Sequence, residues 1–538
     1  MSDAPLMLGV SGLRGIAGKS LTPELAVRYA GAFGTWLREL AEGRALDGAY
    51  AVAEGSVAPV VAVARDGRVG GEVYYHAAIA GLLGAGCDVI PLGVCPTPAI
   101  GALVGRCAGA GIMVTASHNP QEWNGLKCFV SSGSEIEDDR AELRGGRAPS
   151  PKEAAEIVAA FQRGRAVWHA PDPSGARSKL HPPGEASEFL RAVLQAPLHE
   201  LLPEHLRAER LHLGFHCVVD AVNSSGSKIS VPFLEHVGRC TPLFCSGSGV
   251  FPHTPEPTEE NLSGAGGGVG LTQAVPGLGA DVGFAQDPDA DRLAIVDERG
   301  RYIGEEYTLV LAALALLEAE GIEGGAGGRP VVVVNLSTSR MIEDVCARYG
   351  AEVVRTPVGE ANVVAAMERL AREGRRVLMG GEGNGGVIWP EVSLVRDSLA
   401  AIALTLALMA RTGKKVSELV EWVNSMSGSG RGYAIVKQKA ALARKEDARP
   451  GLERIAGAYG GAEEGERARR HEGTRWGTVV IDRQDGVRID FLDRFESGAA
   501  WVHVRASNTE PILRVIAEAG RREDAEALAR EVGELAGA

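Results

Sequence analysis

The stretch VTASHNPQEWNGLKCF, residues 114–129, begins where a short apolar run ends. Residues 111–114 are typical of a buried strand, and the polar residues that follow predict a loop at its end. This loop places Ser117 directly beside His118. Two interpretations are open at this point: a nucleophilic serine displayed on a loop, or a polar turn without a chemical role.

The same succession of a strand and a polar loop recurs along the chain. Short β-branched runs alternate with amphipathic helical stretches, which is typical of α/β units. Three such series end in a polar loop, and these loops are residues 115–120, 287–292 and 380–386. The last part of the chain differs, and its predicted elements are strands at 477–481, 486–491 and 500–505 and a helix at 522–536. The pattern predicts an α/β fold with three similar mixed α/β domains and a smaller α+β C-terminal domain.

Composition shifts predict where these domains meet. A chain of 538 residues is expected to form three or four domains. Residues 145–185 and 425–432 are the predicted boundary regions, and a charged segment, 441–475, precedes the strands of the last domain. The predicted domains are residues 1–165, 185–303, 304–425 and 432–538.

The charge balance argues against a nucleic-acid partner. Lys and Arg number 56 and Asp and Glu 69, which gives a formal net charge of −13, whereas nucleic-acid binding requires a basic surface. A phosphorylated small molecule is compatible with this charge, because local arginines can outweigh it within a cleft. The arginines expected in such a cleft are Arg14, Arg65, Arg68, Arg292, Arg505 and Arg514.

The sequence also predicts a cytoplasmic protein without a membrane partner. The first residues lack the basic and apolar regions of a signal peptide. No uncharged apolar run reaches the length of about 18 residues that a membrane span requires. Eight cysteines are scattered without a C-x-x-C pair, which is typical of buried thiols in a reducing compartment. A monomer or a homodimer is expected.

Asp287, Asp289 and Asp291 follow directly after a predicted strand. Alternate carboxylates at such a place can converge on one hard cation, and Mg²⁺ binds a few carboxylates together with phosphate oxygens. Pro288 and the lack of the glycine and distal glutamate of an EF-hand loop argue against Ca²⁺. An aspartate-rich turn stabilised by its own hydrogen bonds is the alternative.

Two further loops suit a phosphorylated sugar. Residues 505–511 follow a predicted strand, and their backbone N–H groups, small polar side chains and arginine, with Arg514 nearby, form a good phosphate cradle. An ordinary helix N-cap is the alternative there. The glycine-rich residues 380–386 carry Glu382 and Asn384, and the glycines allow a ligand to approach the backbone. Glu382 is suited to accept hydrogen bonds from sugar hydroxyls, although a glycine-rich turn needs no ligand.

These loops bear on the adjacent Ser117 and His118. A serine hydrolase is disfavoured, because adjacent side chains usually project in different directions and neither a G-x-S-x-G motif nor an acid partner is identifiable. A serine that carries phosphate, with Mg²⁺ bridging it to the aspartates, agrees better with the neighbouring loops. Lys127 is the predicted acid/base group, and its place between Leu126 and Cys128 argues against a solvated surface lysine.

Four motifs in this order, T-A-S-H-N-P, D-P-D-A-D-R, G-E-x-N-G-G and R-x-S-N-T-E-P, resemble those of the α-D-phosphohexomutase superfamily. The likeness spans essentially the whole chain, beginning at residues 9–15. It implies four domains around a central cleft, Mg²⁺ as cofactor and a small hexose phosphate as substrate. The implied activity is that of an isomerase, an intramolecular phosphotransferase that moves phosphate between positions 1 and 6 of a hexose.

The resemblance also implies a role for each matching residue. Ser117 resembles the phosphoserine of the active enzyme. The expected catalytic residues are Ser117, Lys127, His118 and Arg292. The expected metal ligands are Asp287, Asp289, Asp291 and the phosphate on Ser117. The expected substrate-binding residues are Arg14, Glu382, Asn384, Arg505, Ser507, Asn508, Thr509 and Arg514.

The reaction implied by the resemblance passes through a hexose 1,6-bisphosphate. Phospho-Ser117 gives its phosphoryl group to the substrate, the bisphosphate turns over in the cleft, and its other phosphate returns to Ser117. Closure of the fourth domain through a hinge near residues 425–432 is expected to exclude water. The E-x-N-G-G loop resembles that of phosphoglucosamine mutases, which favours glucosamine 6- and 1-phosphate. Phosphomannomutase/phosphoglucomutase activity is the alternative, and a Mg²⁺-dependent sugar-phosphate phosphatase is a further one.

Overall fold

The first sheet carries the loop of residues 115–120. The computed structural model describes residues 5–10, 12–43, 58–132, 143, 145–170, 177–207, 213–264, 268–321, 328–428, 430, 432–461, 463–506 and 511–537. The first unit contains strands β1 (Leu6–Gly9), β2 (Gly12–Ile16), β3 (Val60–Arg65), β4 (Asp88–Val94), β5 (Ala110–Val114), β6 (Trp123–Ser131) and β7 (Gly146–Arg147), and helices α1 (Pro23–Gly43), α2 (Gly71–Gly84), α3 (Thr97–Leu103) and α4 (Pro151–Gln162). The strand order is β1-β2-β6-β5-β3-β4, with β7 paired to β6. The β-branched run of β3 is buried between parallel neighbours β4 and β5, as a strand covered on both faces requires.

Helix α4 lies within the predicted boundary region, residues 145–185. It packs on α1, where Trp36 Nε1 donates to Glu156 Oε2 at 3.1 Å and the rings of Tyr29 and Phe161 meet edge to face at 5.4 Å. Ser150 caps this helix and forms a capping box with Glu153. The first part of this region therefore belongs to the first unit.

Two four-stranded sheets follow along the chain. The second unit contains helices α5 (Ala186–Leu201), α6 (Ser230–Val237), α7 (Glu259–Leu262) and α8 (Leu271–Gly277), and strands β8 (His216–Asp220), β9 (Arg239–Leu243), β10 (Val282–Gln286) and β11 (Leu293–Asp297), in the order β11-β10-β8-β9. The third unit contains helices α9 (Glu305–Glu320), α10 (Met341–Arg348), α11 (Glu360–Arg372), α12 (Ser398–Thr412) and α13 (Val416–Ser425), and strands β12 (Val331–Asn335), β13 (Glu352–Thr356), β14 (Val377–Glu382) and β15 (Gly386–Ile388), in the order β13-β12-β14-β15. Both sheets combine parallel pairs with one antiparallel edge pair.

The C-terminal domain is a single antiparallel sheet with two helices. Its strands are β16 (Ala434–Ala441), β17 (Arg469–Thr474), β18 (Gly477–Asp482), β19 (Val487–Phe495), β20 (Gly498–Ala506) and β21 (Ile512–Ala519), and its helices are α14 (Ala448–Ala458) and α15 (Arg522–Ala536). The charged segment 441–475 contains α14 and β17. These elements were not predicted, because their apolar residues are widely spaced among charges. Strand β21 was not among the predicted elements, although it pairs with both β16 and β20.

Two apolar helices join the first three units. Helices α9 and α12 are buried over most of their length and lie in one apolar core with residues of α3, α5 and β8. A helix that is apolar all round is stable only when other elements cover every face. Among the described residues, no helix combines the length and the apolar character that a membrane span needs.

The C-terminal domain has its own apolar core and docks on the third unit through polar contacts. Its core is a cluster separate from the one around α9 and α12. Ser337 Oγ lies 2.8 Å from His503 Nδ1, and the backbone N–H of Val358 donates to Asp485 Oδ2 at 3.0 Å. Lys437 Nζ pairs with Glu305 and, at 3.3 Å, with Glu306 Oε1.

Gly249→Ala is expected to weaken the junction between the first two units. Gly249 has φ +72°, and a Cβ there would overlap the carbonyl oxygen of Gly67. Its own carbonyl accepts from Val69 N at 3.3 Å and from Gln121 Nε2 at 3.1 Å. We expect a loss of about 1–3 kcal/mol in the free energy of unfolding, measured by denaturant titration. Gly533→Ala in α15 is the control, because no described atom lies within 4 Å of its added Cβ. Equal stability of the two variants would contradict this prediction.

Candidate active site

The polar loops predicted from the sequence meet at one cleft. We name residues 115–120 after β5 the serine loop, residues 287–292 after β10 the metal loop and residues 380–386 the sugar loop. A cavity of about 380 Å³ lies between them and is lined by residues of all four units. The lining residues include Arg14, Ser117, Lys127, Arg292, Glu360, Glu382, Asn384, Arg396 and Arg505.

Ser117 is held in a left-handed backbone conformation, with φ +51°. Its N–H donates to Thr115 Oγ1 at 2.9 Å, and its carbonyl accepts from Arg68 Nη2 at 2.7 Å. Thr115 and Arg68 both bond the buried carboxylate of Asp66, at 2.7 and 2.8 Å. This network stabilises a conformation that a residue with a Cβ rarely adopts.

The strained backbone directs the Ser117 hydroxyl toward the metal loop. Ser117 Oγ donates to Asp287 Oδ2 at 2.9 Å and also lies 3.3 Å from His118 Nδ1. The expectation that these adjacent side chains project apart is therefore wrong, because the left-handed turn brings them together. Burial, together with the nearby positive charges of Arg292 and Arg14, holds the pKa of His118 well below its usual value.

The three aspartates of the metal loop converge as the sequence predicted. Asp287, Asp289 and Asp291 are buried, and each offers an oxygen within 4.8 Å of the others. Thr97 Oγ1 donates to Asp289 Oδ2 at 2.7 Å, and the backbone N–H groups of Asp291 and Arg292 donate to Asp287 Oδ1 at 3.1 and 3.2 Å. The loop is also anchored through backbone carbonyls that accept from hydroxyls of Ser224, Ser225 and Ser398.

The metal loop fits a hard cation. Asp289 Oδ1 and Asp291 Oδ1 are buried without a described hydrogen-bond partner, which is costly unless a further group binds them. Burial and repulsion from Asp291 raise the pKa values of both Asp287 and Asp289. Burial alone would also raise the pKa of Asp291, but Arg396, Lys127 and Arg292 hold it below its usual range. These three carboxylates can hold one metal ion of the Mg²⁺ type.

Lys127 is buried on β6 between two carboxylates. Its Nζ lies 3.3 Å from Glu360 Oε2 and 3.4 Å from Asp291 Oδ2. Burial alone would lower the pKa of Lys127, but Glu360 and Asp291 raise it above its usual value. A charged lysine thus faces the cleft beside the metal loop.

Glu382 is fixed on three sides within the sugar loop. Its Oε1 accepts from Asn335 Nδ2 at 2.8 Å and from Gly359 N at 3.0 Å, and its Oε2 accepts from Arg396 Nη1 at 2.9 Å. Burial would raise the pKa of Glu382, but Arg396 and the Asn335 bond lower it. Asn384 Oδ1, in the same loop, is buried without a described partner and is available to a ligand.

Three of the six predicted arginines line the cavity. The Nε groups of Arg14, Arg292 and Arg505 are buried without a described hydrogen-bond acceptor, as groups that await an anion would be. Arg65 pairs with Glu72 instead, and Arg68 is buried beneath the serine loop, so both expectations for a place in the cleft are wrong. Arg514 is the exposed cross-strand partner of Arg505. Ser507, Asn508 and Thr509 lie outside the described residues.

Sequence reasoning missed Arg396 and Glu360, although both line the cavity. Arg396 precedes Asp397, which caps the apolar helix α12. A charged residue one position before the N-cap of a buried helix is a signal that could have marked it. Glu360 is the first residue of α11 and is also buried, which a surface helix would not require.

The whole chain is similar to known phosphohexose enzymes. Residues 5–144, 192–300, 305–425 and 438–535 match domains I, II and III and the C-terminal domain of phosphoglucomutase/phosphomannomutase. A phosphoglucomutase/phosphomannomutase of Thermococcus kodakarensis is 33% identical over 96% of this chain and 96% of its own. A probable phosphoglucosamine mutase of Methanopyrus kandleri is 31% identical over 97% and 96% of the two chains. A solved family protein from Burkholderia thailandensis shares the fold, with a TM-score of 0.68, 22% identity and 98% coverage of both chains.

The fold and the four matched domains define a phosphohexomutase, an enzyme of the phosphotransferase and isomerase type. The chain belongs to the phosphoglucomutase/phosphomannomutase family. The resemblance noted from four short motifs is confirmed, and so is the prediction of three α/β domains and a smaller C-terminal one.

The raised pKa values of Asp287 and Asp289 predict how pH affects metal-dependent stability. Protons on these carboxyls stabilise the metal-free fold below the usual aspartate pKa of about 4, and this contribution is lost as pH rises through the raised values. Asp291 acts in the opposite sense, because its lowered pKa means that the ionised carboxylate stabilises the fold. This stabilisation is present at both pH values of the test and is lost only as pH falls below the usual aspartate pKa. We therefore expect Mg²⁺ to raise the Tm of chelator-treated protein more at about pH 8 than at about pH 5.5.

Thermal unfolding with and without Mg²⁺ at both pH values measures this difference. Asp289→Asn should reduce the Mg²⁺-dependent rise in Tm. Asp493→Asn, at an exposed position of strand β19 in the C-terminal domain, should keep it, since the described hydrogen bonds of the Asp493 carboxylate come from Thr478 on the neighbouring strand. The same Mg²⁺ effect at both pH values would contradict the role assigned to the two raised carboxyls.

Proposed function

We propose that the protein transfers a phosphoryl group between positions 1 and 6 of a hexose phosphate through phospho-Ser117. The observation that carries this proposal is the 2.9 Å hydrogen bond from Ser117 Oγ to Asp287 Oδ2. A serine in this place can carry a phosphate whose oxygens face the three buried carboxylates, provided that a divalent cation lies between them. Asp287, Asp289 and Asp291 would hold Mg²⁺, which neutralises charge on the phosphoryl group during transfer.

Transfer breaks the bond between phosphorus and Ser117 Oγ and forms a bond to a hydroxyl oxygen of the substrate. Arg14 and Arg292, whose Nε groups are buried without a described hydrogen-bond acceptor, balance the negative charge of the moving group. The step also moves a proton from the substrate hydroxyl to Ser117 Oγ: the charged Lys127 is the proposed proton donor, and the neutral His118, whose Nδ1 lies 3.3 Å from Ser117 Oγ, is the proposed acceptor. The same groups act in reverse when the bisphosphate returns its other phosphate to Ser117.

The far end of the cleft suits the phosphate that does not react. Arg505 lines the cavity from the C-terminal domain, with its Nε free, and we assign it with Ser507, Asn508, Thr509 and Arg514 to this phosphate. Glu382 and Asn384 bind the sugar between the two phosphates. Motion of the C-terminal domain about the segment between α13, which ends at Ser425, and β16 lets the bisphosphate turn over without release.

Glucosamine 6-phosphate and glucosamine 1-phosphate are the proposed substrate pair. The names of several relatives, probable phosphoglucosamine mutases about 30% identical over nearly the whole chain, support this choice. Mannose or glucose phosphates are the second candidate, because the relative from Thermococcus kodakarensis named phosphoglucomutase/phosphomannomutase has the higher identity.

Ser117→Ala is expected to abolish mutase activity, because no oxygen remains to carry the phosphoryl group. Loss of at least about 1,000-fold in kcat is expected. Intact-mass measurement should find one phosphate on the wild-type protein and none on the variant. Ser263→Ala is the control, since Ser263 lies on an exposed turn where its hydroxyl donates to Glu260 O. Full mutase activity of Ser117→Ala would overturn the assignment of the phosphate carrier.

A comparison of three hexose 6-phosphates identifies the preferred substrate. We expect kcat/KM for glucosamine 6-phosphate to exceed that for glucose 6-phosphate and mannose 6-phosphate by at least about tenfold. Coupled assays of all three with the same 1,6-bisphosphate activator measure the ratio. A clear preference for glucose or mannose would replace the proposed substrate, and release of inorganic phosphate without isomerisation would indicate a phosphatase.

A further inference from the structure

Arg396 joins the metal loop to the sugar loop through one guanidinium group. Its Nη2 donates to Asp291 Oδ2 at 2.5 Å and its Nη1 to Glu382 Oε2 at 2.9 Å. Its Nε lies 3.4 Å from Glu360 Oε2. The side chain is 9% exposed, so these contacts are shielded from water. One planar group thus sets the separation of two carboxylates that belong to different domains.

The backbone that carries Arg396 is itself bonded to the metal loop and closely approached by the sugar loop. Ser398 Oγ donates to Ala290 O of the metal loop at 2.6 Å and accepts from Gln286 Nε2 at 2.6 Å. Asp397 caps helix α12 by accepting from Ala400 N at 2.9 Å. A Cβ at Gly386 would overlap the Arg396 side chain, so the sugar loop leaves space for it. The arginine therefore projects from a fixed point.

The bond from Arg396 also decides which oxygen of Asp291 stays free. Asp291 Oδ2 accepts from Arg396 and from Lys127, while Asp291 Oδ1 is buried without a described hydrogen bond and lies 3.8 Å from Arg292 Nε. Rotation of this carboxylate would cost the charge-assisted bond. Glu382 is held in the same way, because its Oε2 is bound by the other nitrogen of the same fork.

We propose that Arg396 is a positioning residue that holds Asp291 toward the metal ion and Glu382 toward the sugar at one relative orientation. The reacting hydroxyl and the phosphoryl group on Ser117 are aligned only while both carboxylates keep that orientation. A lysine at this position keeps the positive charge but cannot bond two carboxylates with a planar fork. This inference rests on the proposed function and adds a residue that none of the four sequence motifs contains.

Arg396→Lys is the principal test. We expect kcat/KM for the preferred hexose phosphate to fall by about 100-fold and Mn²⁺, bound without sugar phosphate and followed by electron paramagnetic resonance, to bind about tenfold more weakly. In a Glu382→Gln background, the same substitution should raise KM much less than in the wild type, because the bond that it alters is already weakened. Millimolar guanidinium should restore part of the activity of Arg396→Ala.

Arg147→Lys is the matched control. Arg147 also pairs with two carboxylates, Glu153 and Glu368, and is not among the described residues that line the cavity. If Arg396→Lys binds Mn²⁺ and turns over substrate with wild-type kcat/KM, the proposal is overturned. It is also overturned if Arg396→Lys and Arg396→Ala both fail to fold, since the role of Arg396 would then be structural. If the wild-type protein isomerises no hexose phosphate, the proposed function fails, while the Mn²⁺ comparison still tests Arg396.

Discussion

Three carboxylates buried within 4.8 Å of each other are the electrostatic constraint on which the cleft depends. Such a group is unstable in a protein interior unless positive charge surrounds it. The metal loop contributes Arg292, and further positive charge comes from Lys127 and Arg14 in the first unit and from Arg396 in the third. The positive charge around the metal loop is therefore complete only when the neighbouring units are docked on it.

The shared apolar core holds the first three of the four units together. Helices α9 and α12 pack against residues of the first and second units as well as their own. The strand ends that carry the serine, metal and sugar loops all emerge beside this core, which is why loops far apart in sequence meet at one cavity. Rigid strands and helices of this kind restrict the positions of the polar side chains in the loops that they carry.

The sequence allowed the loops to be predicted better than the interactions between them. The strands before Ser117 and Asp287 are short, mostly apolar runs, and a polar loop after such a strand is visible without a structure. Arg396 was missed because its importance comes from the carboxylates that it bonds. Asp291 lies more than a hundred residues away along the chain, and no local pattern records such a contact. The contact between Ser117 and His118 was misjudged because a positive φ at a serine is not encoded by its residue type.

The polar docking of the C-terminal domain has a thermodynamic consequence. The domain keeps its own apolar core, and water can replace the bonds of Ser337 with His503 and of Val358 with Asp485 when the domain moves away. Because the apolar cores on the two sides of the junction are separate, such a movement would leave both covered, and its heat-capacity change would be small. The enthalpy of such a movement would then change little with temperature. Salt would act on such a movement through the pairs that Lys437 forms with Glu305 and Glu306.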